Sequence, residues 1–250
     1  LSKSELSEWR FLTREELIEE AEKNATEENP VDVTSLILDS GFGRNNTYVD
    51  RWNDSPAKGG ENTDFCAEKY RVAFDSFQTI ENVPNGLYEL SLQGFYREDE
   101  GSQGPAKYYM NETEKDLMKI EADAKSEKVE GSWSTQRGDV YVPNTMTDSS
   151  NCFIAGAYKN DAITVLVKDH TLKIGVKTTD SHNWVIWDNF TLKLKDAMTD
   201  DELAAYPVRL EIDQIGEVSL DPACKEKIDA ARAAYDALTD AQKACVTNYA

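Results

Sequence analysis

The chain has 250 residues, 40% of them hydrophobic and 10% aromatic, which is enough apolar matter for a packed core and too much for wholesale disorder. Its 27 Lys and Arg against 47 Asp and Glu give a formal net charge of −20. A field of that sign repels phosphate backbones and anionic lipid headgroups, so neither nucleic acid nor a membrane surface is expected as a partner. No stretch of 18 apolar residues occurs, so no membrane insertion by a helix is expected.

The sequence begins at Leu1 with no basic-then-apolar leader, as a mature fragment or a piece trimmed from a longer chain would. Residues 1–29 read as helix. Thr13 and Glu16 form a capping box, each side chain satisfying a backbone N–H at the helix start, and Leu12 with Leu17 makes a hydrophobic staple. Leu17, Ile18 and Ala21 supply a thin apolar stripe and Asn24 a stop. So narrow a stripe needs a neighbour to bury it, and the helix is expected to pack on the next module.

Residues 30–196 change character. Short runs rich in Val, Ile, Thr, Phe and Tyr alternate with Gly, Asn, Asp and Pro. Val33–Leu38 and Tyr70–Ile80 are the first candidate strands. The turn signal Asn82-Val-Pro-Asn-Gly86 leads into Leu87–Arg97, where Tyr88, Leu90, Leu92 and Tyr96 point one way and Glu89, Ser91, Gln93, Phe95 and Arg97 the other. Asp139–Val142, Cys152–Tyr158, Ala162–Val167, Thr171–Lys177 and Trp184–Leu194 continue the pattern, while Glu112–Glu130 reads as a short helix or an inserted loop. About eight short strands without helical crossovers predict a mainly β chain, a jelly-roll-type β-sandwich.

Residues 197–250 return to helix. Thr199 with Glu202 is a second capping box and Met198 with Leu203 a second staple. Asp221-Pro222 starts another helix, whose apolar face is Cys224, Ile228, Ala231, Tyr235 and Leu238, and Thr239 with Gln242 caps a third. The block reads as a small helical hairpin or bundle, its last helix cut short at Ala250. The four cysteines, Cys66, Cys152, Cys224 and Cys245, form no CxxC pair, which argues against zinc and against a redox dithiol. One or two disulfides and four buried thiols fit equally well, with buried thiols favoured for Cys224 and Cys245 because antiparallel helices would hold them apart.

Two phrases in the strand region, ENVPNGLYELSLQGFYR at Glu81–Arg97 and LKIGVKTTDSHNWVIWDNFTLKL at Leu172–Leu194, together with NPVDVTSLILDSGF at Asn29–Phe42, resemble the galactose-binding-like jelly-roll modules of gut-bacterial surface proteins. Those modules are similar to the carbohydrate-binding modules of glycoside hydrolases. The chain departs from the family at Asp39-Ser-Gly-Phe42, where the pattern is closer to Asn-Pro-x-Phe. The run Ile212–Asn248 is similar to the small "found in various architectures" helical modules of bacterial surface proteins. Both resemblances imply a non-catalytic, monomeric portion of a secreted or cell-surface multimodular protein, whose partners are a glycan and other modules of the same chain.

Sugars present apolar C–H faces and polar rims, so an exposed ring beside amides, carboxylates or guanidinium groups is the chemistry to look for. Trp52, Tyr96, Tyr108, Tyr109, Trp133 and Trp184 lie in or beside polar loops, with Gln93, Arg97 and Asn183 as rim groups. The Gln93–Phe95–Arg97 face is expected to be the open sheet surface. Jelly rolls of the resembled class often hold a structural calcium near the first turn and last strand, which here points to Asp39 and Asp188. Asp188 could equally fix a turn through backbone N–H groups. The two histidines, His170 and His182, stand in turns without a nucleophile-elbow motif, and no carboxylate pair is marked for glycoside hydrolysis. A structural or adhesive spacer is the alternative to glycan binding, and a glycosidase the third reading.

Overall fold

The computed structural model describes residues 12–45, 51–61, 64–121 and 142–249. Residues 1–11, Trp133, most of the strand expected at Asp139–Val142 and the second part of Glu112–Glu130 lie outside the described residues. Two β-sheets face each other, with helices at the flanks. The strands are β1 (Val31–Asp32), β2 (Ala57–Glu61), β3 (Asp64–Tyr70), β4 (Phe74–Glu81), β5 (Gly86–Glu98), β6 (Lys107–Met110), β7 (Thr113–Asp116), β8 (Met118–Lys119), β9 (Ile163–Val167), β10 (Thr171–Thr178) and β11 (Asn183–Ala197). The larger sheet runs β2-β3-β11-β5-β8, with β1 also paired to β11 and β9 to β5, and the smaller runs β4-β10-β6-β7. All these pairings are antiparallel except β5 with β8. The expected mainly β sandwich is therefore the fold.

Alternation along β5 and β11 sorts residues between two environments. Tyr88, Leu90, Leu92 and Tyr96 of β5 and Val185 and Trp187 of β11 meet Leu172, Ile174 and Val176 of β10 and Tyr108 and Met110 of β6 in the main core. Phe42, Trp52, Phe74, Trp187 and Phe190 close one end as a ring cluster, with Phe42–Trp52 centroids 5.3 Å apart and Trp52–Phe190 5.2 Å. Phe190 reaches that cluster because the β11 register shifts against β5 between Asp188 and Thr191. Asn189 takes a left-handed φ of 51° in that bulge, a conformation asparagine tolerates.

The N-terminal helix, α1 (Arg14–Asn24), carries the expected capping box and stop, and buries Ala21, with Leu17 and Ile18 partly, against the main core. Three strand expectations change. Tyr70–Ile80 is broken after Tyr70, which ends β3, by Arg71 with its left-handed φ of 50°, and β4 begins at Phe74. Val33–Leu38 is a 3-10 turn over Thr34–Leu36, because the Asp32 carboxylate accepts from Thr34 N–H and the Thr34 hydroxyl takes the N–H of Leu192, so local side-chain bonds replace a ladder. No strand forms at Cys152–Tyr158: Cys152, Phe153 and Ile154 end a helix, α2 (Met146–Ile154), started by Thr145, whose hydroxyl accepts from Asp148 N–H, and the rest is turn and loop. Ser149, Ser150, Cys152 and Phe153 form its buried face. Thr113–Asp116 and Met118–Lys119 are strand where a helix or loop was expected.

Beyond β11 come α3 (Asp200–Asp213), α4 (Pro222–Asp236) and α5 (Asp240–Ala244), each started by the residue expected: Thr199, Asp221 and Thr239. Ala205, Val208 and Val246 form their small core, with Ile212, Ala234, Tyr235 and Leu238 packed around it. No disulfide joins the four cysteines, of which Cys66, Cys152 and Cys224 are buried. Among the described residues no helix is long and apolar enough to cross a membrane.

Candidate functional site

The outer face of the larger sheet, formed by Cys66, Glu68 and Tyr70 of β3, Trp184 and Ile186 of β11, and Gln93, Phe95 and Arg97 of β5, divides in two. Its lower part is covered: Phe95, Cys66, Ile186 and part of Trp184 pack with Phe153 of α2, Ile120 and Val142 into a second core. This corrects the expectation that the whole Gln93–Phe95–Arg97 face is open. Gln93 is consumed in that packing: its amide N–H groups go to the carbonyls of Phe153 (3.0 Å) and Ala157 (2.6 Å), and its Oε1 accepts from Asn189 Nδ2 (2.8 Å).

Among the described residues the upper corner is open. There the ladder aligns Tyr70, Trp184 and Arg97 in one row across three strands. The Tyr70 ring is 52% exposed. Arg97 lays its guanidinium 4.5 Å from the Trp184 ring centroid and donates from Nη1 to Asn144 Oδ1 at 2.9 Å. Trp184 donates from Nε1 to Glu68 Oε1 at 2.6 Å. Arg71, with a left-handed φ of 50°, turns its guanidinium to within 5.3 Å of the Tyr70 ring centroid and pairs through Nε with Asp99 Oδ2 at 2.7 Å. Glu68, Tyr70, Arg71, Arg97, Asp99, Asn144 and Trp184 line an open cavity of about 470 Å³, within the size range of small-ligand sites.

A buried carboxylate stiffens the loops behind this corner. Asp180 accepts N–H groups from Gln103, from Gly104 (3.1 Å) and from His182 (2.6 Å), and the Ser102 hydroxyl (3.1 Å). Burial pushes its pKa up, but the donors from Gln103, His182 and Ser102 prevail and hold it at about 2. Asn183 belongs to the same clamp, donating to Gly104 O (2.8 Å) and accepting from Ser102 Oγ (2.9 Å), so its amide is spent on the fold and not on a rim.

Of the expected glycan contacts, the structure brings Arg97 and Trp184 to the cavity, Trp184 with only 3% of its surface exposed. Trp52 is 0% exposed inside the end cluster. Tyr96 and Tyr108 face the main core, because strand alternation turns them inward. Tyr109 is buried on the outer face of the other sheet, lying across Gly175, with its hydroxyl on Asp75 Oδ1 at 2.6 Å. Tyr70, Arg71, Glu68, Asp99 and Asn144 were not anticipated. The available signal was the alternation of Cys66, Glu68 and Tyr70, which becomes legible only once Asp64–Tyr70 is read as a strand.

Asp39 and Asp188 do come to one corner. Both side chains are buried, and neither Asp39 carboxylate oxygen accepts a hydrogen bond. Burial raises the Asp39 pKa against the pull of Lys58, whose Nζ lies 3.6 Å from Asp39 Oδ2. Burial also pushes Asp188 up to about 8, opposed by the Asn189 N–H and reinforced by the charges of Asp39 and Asp64. A calcium shell needs six to eight oxygens, and among the described residues these two carboxylates would supply at most four. Among the described residues no three His, Cys, Asp or Glu side chains converge as metal ligands. Three carbonyls of the first turn are engaged: Asp39 O by Phe42 N–H, Ser40 O by Phe190 N–H, and Gly43 O by Lys58 Nζ at 2.9 Å.

No protein-family model matches the chain. No curated protein matches it either. Solved structures similar in part include the two that follow. One is the carbohydrate-binding module TmCBM61 in complex with β-1,4-galactotriose, at 14% identity and a TM-score of 0.27, over 53% of this chain and 72% of that one. The other is the CBM22-1 xylan-binding domain of Paenibacillus barcinonensis Xyn10C, at 10% identity and a TM-score of 0.26, over 57% of this chain and 82% of that one.

Proposed function

We propose that the protein is a non-catalytic glycan-binding module of a secreted or cell-surface multimodular protein, and that it grips sugar at the open corner of the larger sheet. The observation that carries this reading is the exposed Tyr70 ring standing beside the Arg71–Asp99 pair, Glu68 and the Arg97–Asn144 pair around one cavity. An exposed ring offers a face for sugar C–H groups, and the fixed charged and amide groups around it match a ring of hydroxyls. The clamp at Asp180 and the cation–π contact of Arg97 on Trp184 hold the groups in place before any ligand arrives, which lowers the entropic cost of binding.

The two carboxylates at the cavity are held by partners: Glu68 accepts from the Trp184 indole and Asp99 from Arg71. Engaged in this way, they serve as hydrogen-bonding rim groups in our reading and not as the acid and base of a hydrolase. The helices that follow β11 would join the module to its neighbours in the chain, and the module would act as a monomer.

A glycan array probed with the 250-residue chain and with its Tyr70→Ala variant tests the proposal. Binding to a defined glycan class by the parent chain, lost in Tyr70→Ala, is the expected result. Silence of the parent across plant, mucin and microbial glycans would leave the spacer reading in its place.

A further inference from the structure

The geometry points to Lys58 as the built-in cation of the buried Asp39–Asp188 corner: its ammonium takes the place a divalent ion would have to fill, so the sandwich needs no calcium there. The inference stands apart from the glycan reading and rests on the placement of three side chains.

Asp39 sits in the first turn with a left-handed φ of 57°, and Phe42, three residues on, has a φ of 45°. That turn drives the carboxylate inward, where its side chain has no solvent exposure and no backbone N–H or hydroxyl reaches either oxygen. A buried carboxylate in this situation requires a positive charge, since stripping it of water without compensation is prohibitive. Lys58 supplies one. It comes from β2, paired with Ala67 of β3, and its side chain is only 16% exposed. Its Nζ is fixed between Asp39 Oδ2 at 3.6 Å and Gly43 O at 2.9 Å. It thus ties both ends of the first turn, Asp39 and Gly43, to the larger sheet.

The remaining acid is held in another way. Asp188 Oδ1 accepts the N–H of Asn189 at 2.7 Å. A Cβ built on Gly41 would lie 3.9 Å from Asp188 Oδ1 and 3.5 Å from Asn189 Oδ1, so both oxygens face the first turn. A divalent ion at this corner would have to expel the Lys58 ammonium, which reaches Asp39 on a tether from the same fold and needs no ion from solution.

The experiment compares melting of the 250-residue chain in about 5 mM EDTA and in about 5 mM calcium, because a ion bound to the folded state must raise its stability. The expected shift is less than about 1 °C, and calorimetric titration with calcium gives no heat beyond dilution. A calcium-dependent rise of several degrees that disappears in Asp39→Asn would overturn the inference. Two variants test Lys58 itself. Lys58→Met keeps the stem and removes the charge, and should lower Tm by several degrees at equal calcium and at EDTA. Lys58→Met combined with Asp39→Asn removes both charges and should recover most of that loss. A single variant as stable as the parent, or a double variant no better than the single, would contradict the role given to Lys58. If Lys58→Met does not fold, recovery of folding in the double variant supports the inference and failure to recover counts against it.

Discussion

Replacing Asp188 with asparagine should stabilise the protein by an amount that grows with pH. The folded-state pKa of Asp188 is pushed from its ordinary value of 3.8 up to about 8, chiefly by burial. Between those two values the folded protein holds a proton that the unfolded chain has already released. Stability therefore falls as pH rises from near 4 to near 8, and is flat on either side. At about 1.4 kcal/mol per pH unit, the handicap is about 2 kcal/mol at pH 5 and about 4 kcal/mol at pH 7, an upper figure for a group this deeply buried. Asparagine keeps the shape and an Oδ1 that can accept the Asn189 N–H, but cannot ionise. Urea unfolding of parent and variant, followed by tryptophan fluorescence at pH 5, 7 and 8.5, reads the difference directly. The variant's advantage should be about half as large at pH 5 as at pH 7, and level above pH 8. A difference independent of pH, or a variant less stable than the parent at pH 8.5, would refute the assignment of a buried, protonated carboxyl at this position.

Two further outcomes follow from local geometry. Gly86 has a φ of 144°, and a Cβ there would lie 2.0 Å from Asp196 O, so Gly86→Ala should cost roughly 3 kcal/mol or more in urea unfolding; a loss below 1 kcal/mol would mean the β5–β11 junction relaxes freely. Thr199→Ala removes the hydroxyl that accepts from Glu202 N–H at the start of α3, and should cost about 1 kcal/mol, detected as faster amide exchange in the first turn of α3 with the sandwich unchanged.

Local signals carried the elements that depend on local chemistry. Thr13, Thr199, Asp221 and Thr239 start helices because a side-chain oxygen two or three residues before a free N–H suffices, whatever the rest of the chain does. The alternation in Leu87–Arg97 assigned its inner face correctly, since Tyr88, Leu90, Leu92 and Tyr96 all enter the main core. Asp64–Tyr70 is not among the candidate strands because its charged Glu68 and Lys69 give no apolar alternation, and Tyr70 reads instead as the start of the next strand. Cys152–Tyr158 was misread because a short apolar run has no period of its own and the Thr145 cap lies seven residues upstream.

The fate of the tryptophans depends on long-range pairing. Trp52, between Arg51 and Asn53, looks like a loop residue, yet Phe42 and Phe190 close over it. Trp184 meets its hydrogen-bond acceptor Glu68 from 116 positions away. Ring exposure at the site is therefore a property of the sheet register, which no local pattern encodes.

The central claim is that sugar is held at the Tyr70–Arg71 corner of the larger sheet. Calorimetric titration of a glycan that the parent chain binds, against Tyr70→Ala, Arg71→Ala and Phe77→Ala, tests it most directly. Phe77 lies under Lys173 on the opposite sheet, where its ring centroid is 3.8 Å from the ammonium, and it serves as the control surface. Tyr70→Ala and Arg71→Ala should each lose about tenfold or more in affinity, at least about 1.4 kcal/mol, while Phe77→Ala binds like the parent. Unchanged binding in Tyr70→Ala and Arg71→Ala, with loss in Phe77→Ala, would contradict it and move the grip to the other face of the sandwich.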